Sequence, residues 1–205
     1  MESCDRAPKA PIRPTLDGRR GGNDWRDAGR VACGSVRNAQ SDRPPCASLL
    51  YGVNSDNFYL RFEFDHTSPL RRDPSTEIHL LWFYPGVTMY NSPAPLANLP
   101  STAPLNYLFH HHLGLRLADL SCWFEEANER YEWQPRQCQA NVILADCLDI
   151  AVPWSSFPGQ ADYPLRLVVV LADAGKFQSY LPTGQLINLQ ARWTGADSGD
   201  HELYC

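Results

Sequence analysis

The chain has 205 residues, a formal charge of −5 and a pI near 5.6. That length supports one substantial core, burying roughly 70 % of the unfolded surface, and leaves two complete domains cramped. The acidic balance removes the usual electrostatic footing for a nucleic-acid partner, and no apolar run approaches the ~20 residues of a membrane span.

Residues 1–45 are rich in Arg, Asp, Gly and Pro, with few aliphatics. Pro8, Pro11 and Pro14 favour an extended start, and Arg19-Arg20-Gly21-Gly22-Asn23 reads as a loop. This segment is expected to be an irregular N-terminal arm, lying loosely over the fold or serving as a docking segment for a partner. Leu49–Asp65 carries the strongest pattern in the chain. Two apolar runs flank Asn54-Ser55-Asp56-Asn57, and beyond that break Phe58, Leu60, Phe62 and Phe64 alternate with Tyr59, Arg61, Glu63 and Asp65. A period of two with one apolar face is a half-buried strand, because successive side chains leave opposite sides of a pleated ribbon. The polar tetrapeptide has the residues that turn a hairpin.

Glu77–Pro85 is apolar on both faces, as expected of a central strand covered on each side. Pro85, Pro93, Pro95, Pro100 and Pro104 mark a long excursion. Leu105–Leu117 resumes the strand pattern, and Ser121–Pro135 reads as a hairpin turning at Asn128-Glu129. A two-residue turn there places Phe124 opposite Trp133 and Glu126 opposite Tyr131. Asn141–Pro153 and Pro164–Leu171 are two further strands. Lys176–Leu181 and Gln185–Ala191 form a last pair joined through Pro182-Thr183-Gly184. Short strands separated by turn signals, with helix confined to a turn or two, predict an all-β antiparallel β-sandwich. The arm begins the sandwich near residues 15–30, the domain occupies 46–193, and 194–205 form a tail.

The cysteines lie at Cys4, Cys33, Cys46, Cys122, Cys138, Cys147 and Cys205, an odd count of seven without a CxxC pair. With no apolar h-region in the first thirty residues, they are expected to be reduced thiols in a cytoplasmic protein.

Several segments carry a resemblance. Leu16-Asp17-Gly18 followed by Trp25 and Ala28 is similar to the opening of family 9 carbohydrate-binding modules and related DOMON-like sandwiches. Tyr51-Gly52-Val53-Asn54 with Asn57-Phe58-Tyr59-Leu60-Arg61 resembles a strand pair of the β-sandwich found C-terminal to family 57 glycoside hydrolases. Leu148-Asp149-Ile150-Ala151-Val152-Pro153-Trp154 and Leu181-Pro182-Thr183-Gly184 resemble later segments of that domain. The resemblance spans residues 15–190 in a consistent order and implies a jelly-roll or DOMON-like sandwich. It implies an accessory role beside a hydrolase, without catalysis, because the (β/α) barrel that carries the family's two carboxyl groups has no counterpart here.

Adjacent strand residues point to opposite faces, so Glu125 and Glu126 cannot flank a sugar together; Glu125 and Glu132 could approach across the hairpin. No nucleophile elbow, Walker loop or dinucleotide fingerprint occurs, and neither a cofactor nor catalysis is expected. In His110-His111-His112, His110 and His112 would share a face and supply two metal ligands at best, against a plain reading as packed and hydrogen-bonded strand residues. Aromatic rings beside hydrogen-bonding groups suit the flat C–H faces of sugars. Trp123, Tyr131 and Trp133 with Glu125, Glu126 and Arg130 supply that mixture, and Trp25, Trp82 and Trp154 read as core. The expected partners are therefore a carbohydrate of α-glucan type or, alternatively, a protein docking on the arm and the 85–104 loop.

Overall fold

The structure, a computed structural model, describes residues 6–32, 46–64, 75–86, 89–101, 104–137, 139–157, 164–182 and 186–190. Twelve strands occur among them: β1 (Gly29–Ala32), β2 (Ser48–Val53), β3 (Asn57–Glu63), β4 (Thr76–Phe83), β5 (His111–Arg116), β6 (Cys122–Ala127), β7 (Trp133–Arg136), β8 (Asn141–Leu144), β9 (Cys147–Pro153), β10 (Pro164–Asp173), β11 (Lys176–Leu181) and β12 (Ile187–Gln190). They form a five-stranded sheet ordered β1-β2-β3-β9-β8 and a seven-stranded sheet ordered β11-β10-β4-β5-β6-β7, with β12 also on β10. All strand pairs are antiparallel, and the fold is a β-sandwich as the alternation predicts. The helical residues among those described are a 3-10 turn at Trp154–Ser156.

The inner layer follows directly from the period-two pattern. Phe58, Leu60 and Phe62 of β3 meet Ile78, Leu80 and Trp82 of β4 in one apolar core that Leu113, Phe124, Leu167 and Val169 complete. Trp82 is fully buried, edge-on to Phe58 at 6.1 Å and to Phe157 at 5.2 Å. Trp25 and Trp154 are buried as well.

The outer faces are covered too. Strand β3 is buried on both sides, because the arm lies across it: Ile12, Trp25, Ala28, Leu50, Tyr59 and Ala151 form a second apolar cluster. The described part of the arm, 6–32, is thus a packed layer that also contributes β1, in place of the loose segment expected; 33–45 lie outside the described residues. On the opposite side Ala94 and Leu105, with Leu96 and Leu99 at their margin, pack on Leu81, Val168 and Val170. The Pro-rich excursion is therefore the cover that the doubly apolar β4 requires.

One buried ion pair anchors the arm. Arg61 donates from Nε and Nη2 to both oxygens of Asp149, at 2.6 and 2.7 Å, and both residues are buried. The guanidinium carbon lies 4.7 Å from the centre of the Trp25 ring, and the Gly18 N–H donates to the same carboxylate at 2.9 Å. Gly18 is at φ +65°, and a Cβ there would sit 2.7 Å from the Ala145 nitrogen, so this contact requires glycine.

Four strand expectations are corrected. Asn141–Pro153 is a tight hairpin, with Leu144 opposite Leu148, because both halves are apolar and only Ala145-Asp146 signals the reversal. The β6–β7 connection spans residues 128–132, so Phe124 faces Arg136 and Ala127 faces Trp133. Asn128 sets that length: its Oδ1 accepts from the N–H groups of Arg130 and Glu132. Within Leu105–Leu117 only His111–Arg116 is strand, since Leu105 and Phe109 belong to the cover. Finally, β11 and β12 do not pair with each other. Each lies along part of the ten-residue β10, which is long enough to hold both. Thr183, Gly184, Trp193, His66 and the 194–205 tail lie outside the described residues.

The cysteine expectation is corrected at one position. Cys46 is disulfide-bonded, its partner lying outside the described residues, while Cys122 and Cys147 are not disulfide-bonded. Uniformly reduced thiols, the support for a cytoplasmic location, are thereby lost.

Removing Asp149 leaves the buried Arg61 guanidinium beside a half-exposed carboxylate, Asp17 at 3.7 Å. Asp149→Ala is expected to cost about 3–5 kcal/mol, whereas Arg61→Met with Asp149→Leu recovers most of that loss. Urea unfolding of the two variants measures the difference.

Candidate functional site

The sequence-selected residues separate onto two faces and a loop. Strand alternation sends Trp123 and Glu125 of β6 and Trp133 of β7 to the outer face of the seven-stranded sheet, with His79 of β4 and His112 of β5. Glu126 leaves the opposite face and is held by Arg136, whose Nε and Nη2 each lie 2.8 Å from Glu126 Oε2. Arg130 and Tyr131 sit in the connecting loop, where Tyr131 adopts φ 60° and is 64 % exposed. Glu132 is in that loop too, so it does not stand opposite Glu125 in the ladder; Pro135 does.

Both hairpin tryptophans are half-buried. The Trp123 indole lies across Gly114, where a Cβ would meet it at 2.1 Å, and it is edge-on to His79 at 5.8 Å and His112 at 6.1 Å. Trp133 rests against His112 at 5.7 Å and donates from Nε1 to the Pro93 carbonyl at 2.9 Å, tying the hairpin to the cover. Ser92 adds a second tie by donating from Oγ to the Tyr131 carbonyl at 2.8 Å.

Where the hairpin meets the cover there is an open groove of about 630 Å³. Tyr90 and Trp133 supply its rings, and Asn128, Glu129, Arg130 and Gln134 line it beside the Glu126–Arg136 pair. The acidic and basic side chains in this lining balance in sign. Of the sequence-selected set, Trp133, Glu126 and Arg130 reach the groove; Trp123, Glu125 and Tyr131 are not among its lining. Sequence reasoning missed Tyr90, which the excursion brings in with no local signal. It also missed Gln134 and Arg136, whose facing depends on the three-residue change in hairpin register.

The histidines take three different positions. His111 faces the core, fully buried, stacked on Phe124 at 5.6 Å and edge-on to Phe157 at 5.1 Å. Neither of its ring nitrogens has a hydrogen-bond partner among the described residues, and burial pushes it down to about 3. His110 accepts from the Tyr84 N–H at Nδ1. His112 is engaged on both nitrogens, by Glu125 and by His79. The run therefore does not present His110 and His112 jointly to an ion, and among the described residues no group of three or more His, Cys, Asp or Glu could hold a metal.

Two substitutions test this packing. Gly114→Ala drives a methyl into the Trp123 ring and is expected to cost about 1–3 kcal/mol, with a red-shifted indole emission that reports the displaced ring. His111 governs a pH effect. Its folded-state value lies below the ordinary ~6.5, so both states are neutral above that pH. Below it the unfolded chain binds a proton that the folded chain refuses, and stability falls as pH drops toward about 3. His111→Leu removes that proton. The loss of stability between pH 8 and pH 5, read from urea midpoints, is expected to shrink by about 2 kcal/mol.

No family model matches the chain, and neither does any curated protein or solved structure.

Proposed function

We propose that this chain is a non-catalytic β-sandwich that binds carbohydrate in the groove between the β6–β7 hairpin and the cover. The observation that carries the reading is the lining: two aromatic rings, Tyr90 and Trp133, beside Asn128, Glu129, Arg130 and Gln134. A pyranose has flat C–H faces and an equatorial belt of hydroxyls. Rings take the faces by apolar contact, while amide, guanidinium and carboxylate groups take the hydroxyls. The rigid framework favours binding, since Trp133 is fixed by its bond to Pro93 and the loop by Asn128.

An α-glucan is the proposed ligand, and support of an associated glycoside hydrolase the proposed setting, as the sequence resemblance implies. The balanced lining charges suit a neutral glucan better than a polyanionic sugar. A protein-docking role is the second reading. It is favoured by Tyr107 and Leu108, which are 42 % and 48 % exposed on the cover. Against docking by the arm as a whole, the apolar residues of its described part are spent on the five-stranded sheet.

Affinity electrophoresis through gels containing soluble starch or glycogen separates the two. Retarded migration is expected, with Tyr90→Ala and Trp133→Ala each weakening it about tenfold, equivalent to about 1.4 kcal/mol. Tyr107→Ala is expected to migrate as the parent chain does. Unretarded migration of the parent chain on neutral glucans sinks the carbohydrate reading.

A further inference from the structure

Behind the groove, four side chains form one continuous polar line across three neighbouring strands. Glu77 and His79 leave β4, His112 leaves β5 and Glu125 leaves β6, all on the outer face. Glu125 Oε2 lies 2.7 Å from His112 Nδ1, His112 Nε2 lies 2.9 Å from His79 Nδ1, and His79 Nε2 lies 3.5 Å from Glu77 Oε2. The imidazoles are buried, with side chains 3 % and 1 % exposed for His79 and His112, while the carboxylates at the ends are 12 % and 19 % exposed for Glu77 and Glu125.

Counting protons along this line gives an imbalance. Each of the three gaps needs one proton to become a hydrogen bond, whereas two neutral imidazoles bring two. The Glu125 carboxylate only accepts, so His112 donates from Nδ1 and accepts at Nε2. His79 must then donate from Nδ1, which leaves its Nε2 as a bare lone pair facing the Glu77 carboxylate. Two acceptors cannot bond; His79 Nε2 lies 3.5 Å from Glu77 Oε2 and has no hydrogen-bond partner among the described residues.

The surroundings narrow where an added charge can rest. On β10, Val170 stands opposite His79 and Ala172 opposite Glu77, both apolar. Trp123 and Trp133 flank the imidazoles. On β5, Arg116 Nε lies 3.9 Å from Glu77 Oε1 and pairs on its other side with Asp119 at 4.0 Å, and the Gly175 N–H donates to Glu77 Oε2 at 2.9 Å. Among the described residues, the carboxyl group at hydrogen-bond distance from an imidazole is that of Glu125, beside His112.

We propose that Glu77, His79, His112 and Glu125 form a proton relay that binds one proton from solvent by switching the tautomer of His79. The proton enters at Glu77 and passes to His79 Nε2. His79 releases its Nδ1 proton to His112 Nε2, and His112 becomes an imidazolium bonded to Glu125. His79 ends neutral, now donating from Nε2 to Glu77, so that all three gaps are filled. The environment agrees with this division: burial and the neighbouring His112 push His79 down to about 3, so it does not keep the charge. Burial also pushes His112 down, but the bond to Glu125 and its charge oppose that.

Long-range ¹H–¹⁵N NMR of the full chain between pH 8 and acid unfolding tests the relay. At pH 8 both residues are expected as the Nδ1–H tautomer. Below the ordinary imidazole value of about 6.5, His112 is expected to become doubly protonated while His79 exchanges Nδ1–H for Nε2–H, with one shared midpoint. The proposal is overturned if His79 keeps its tautomer while His112 charges, if the two change at separate midpoints, or if neither changes before the chain unfolds. Glu77→Gln gives a second arm. Its carboxamide N–H satisfies the bare His79 nitrogen without an added proton, so the shared midpoint is expected to fall by about one pH unit, a tenfold weaker proton affinity. An unchanged midpoint in the folded variant also overturns the proposal. Where that variant does not fold, the parent spectra decide alone.

Discussion

The constraint on which the structure depends is that the central strands of both sheets are buried on two faces, apolar on both in β4 and carrying Arg61 beside Tyr59 on the outer face of β3. A two-layer sandwich hides only the inner faces, leaving Tyr59 on one side and Leu81, Val168 and Val170 on the other without a cover. Apolar surface buried is worth roughly 25 cal/mol per Å², so each uncovered outer face would forgo a sizeable part of the stability of a domain this size. The chain meets the demand with irregular segments. Residues 6–28 cover the smaller sheet and the Pro-rich excursion covers the larger. Proline suits the second task, because it holds the backbone extended without needing a ladder partner for its nitrogen.

Each sheet carries a buried polar device on its outer face. Under the arm this is Arg61–Asp149, bidentate and capped by the Gly18 N–H and the Trp25 ring. Across the larger sheet, beside the excursion, it is the line through His79 and His112. Buried ion pairs are weak contributors to net stability, because desolvation offsets most of the attraction. Their effect here is directional. An apolar arm could slide over an apolar sheet at little cost, but Gly18 reaches Asp149 in one register alone. The Nε1 bond of Trp133 to Pro93 does the same for the excursion.

The inner layer was legible in the sequence, because inward residues on β3 repeat every second position and need only the pleat to be placed. The apolar character of β4 also announced that something must cover it. What would cover it was not legible. Ala94, Leu96, Leu99 and Leu105 have no period, and their facing is fixed by contacts with β10, far along the chain. The hairpin register failed for a related reason: Asn128-Glu129 looks like a two-residue turn, but the Asn128 carboxamide closes a longer loop by accepting from Arg130 and Glu132. A three-residue change reverses the facing of every partner, which is why Trp133, Gln134 and Arg136 could not be placed from spacing. The two histidines of the relay were visible as residues, but their juncture with Glu77 and Glu125 needs three strands in register.

These features converge on Trp133. It lines the groove, its ring rests against His112, and its nitrogen holds the cover. A ligand in the groove therefore meets a wall that cannot move without loosening both the cover and the relay behind it. Tyr90 on the facing side comes from the cover itself, close to the Ser92 bonds to Phe109 and Tyr131. The groove is thus a consequence of how the larger sheet is covered: between β4 and β5 the excursion bonds to the β6–β7 hairpin at Ser92 and Pro93. The Trp133 ring is held there by its Nε1 bond to Pro93, which exists whether or not a ligand is present, while the Tyr90 side chain is 54 % exposed. Binding there would involve little ordering of Trp133, and the ordering cost falls on the exposed Tyr90.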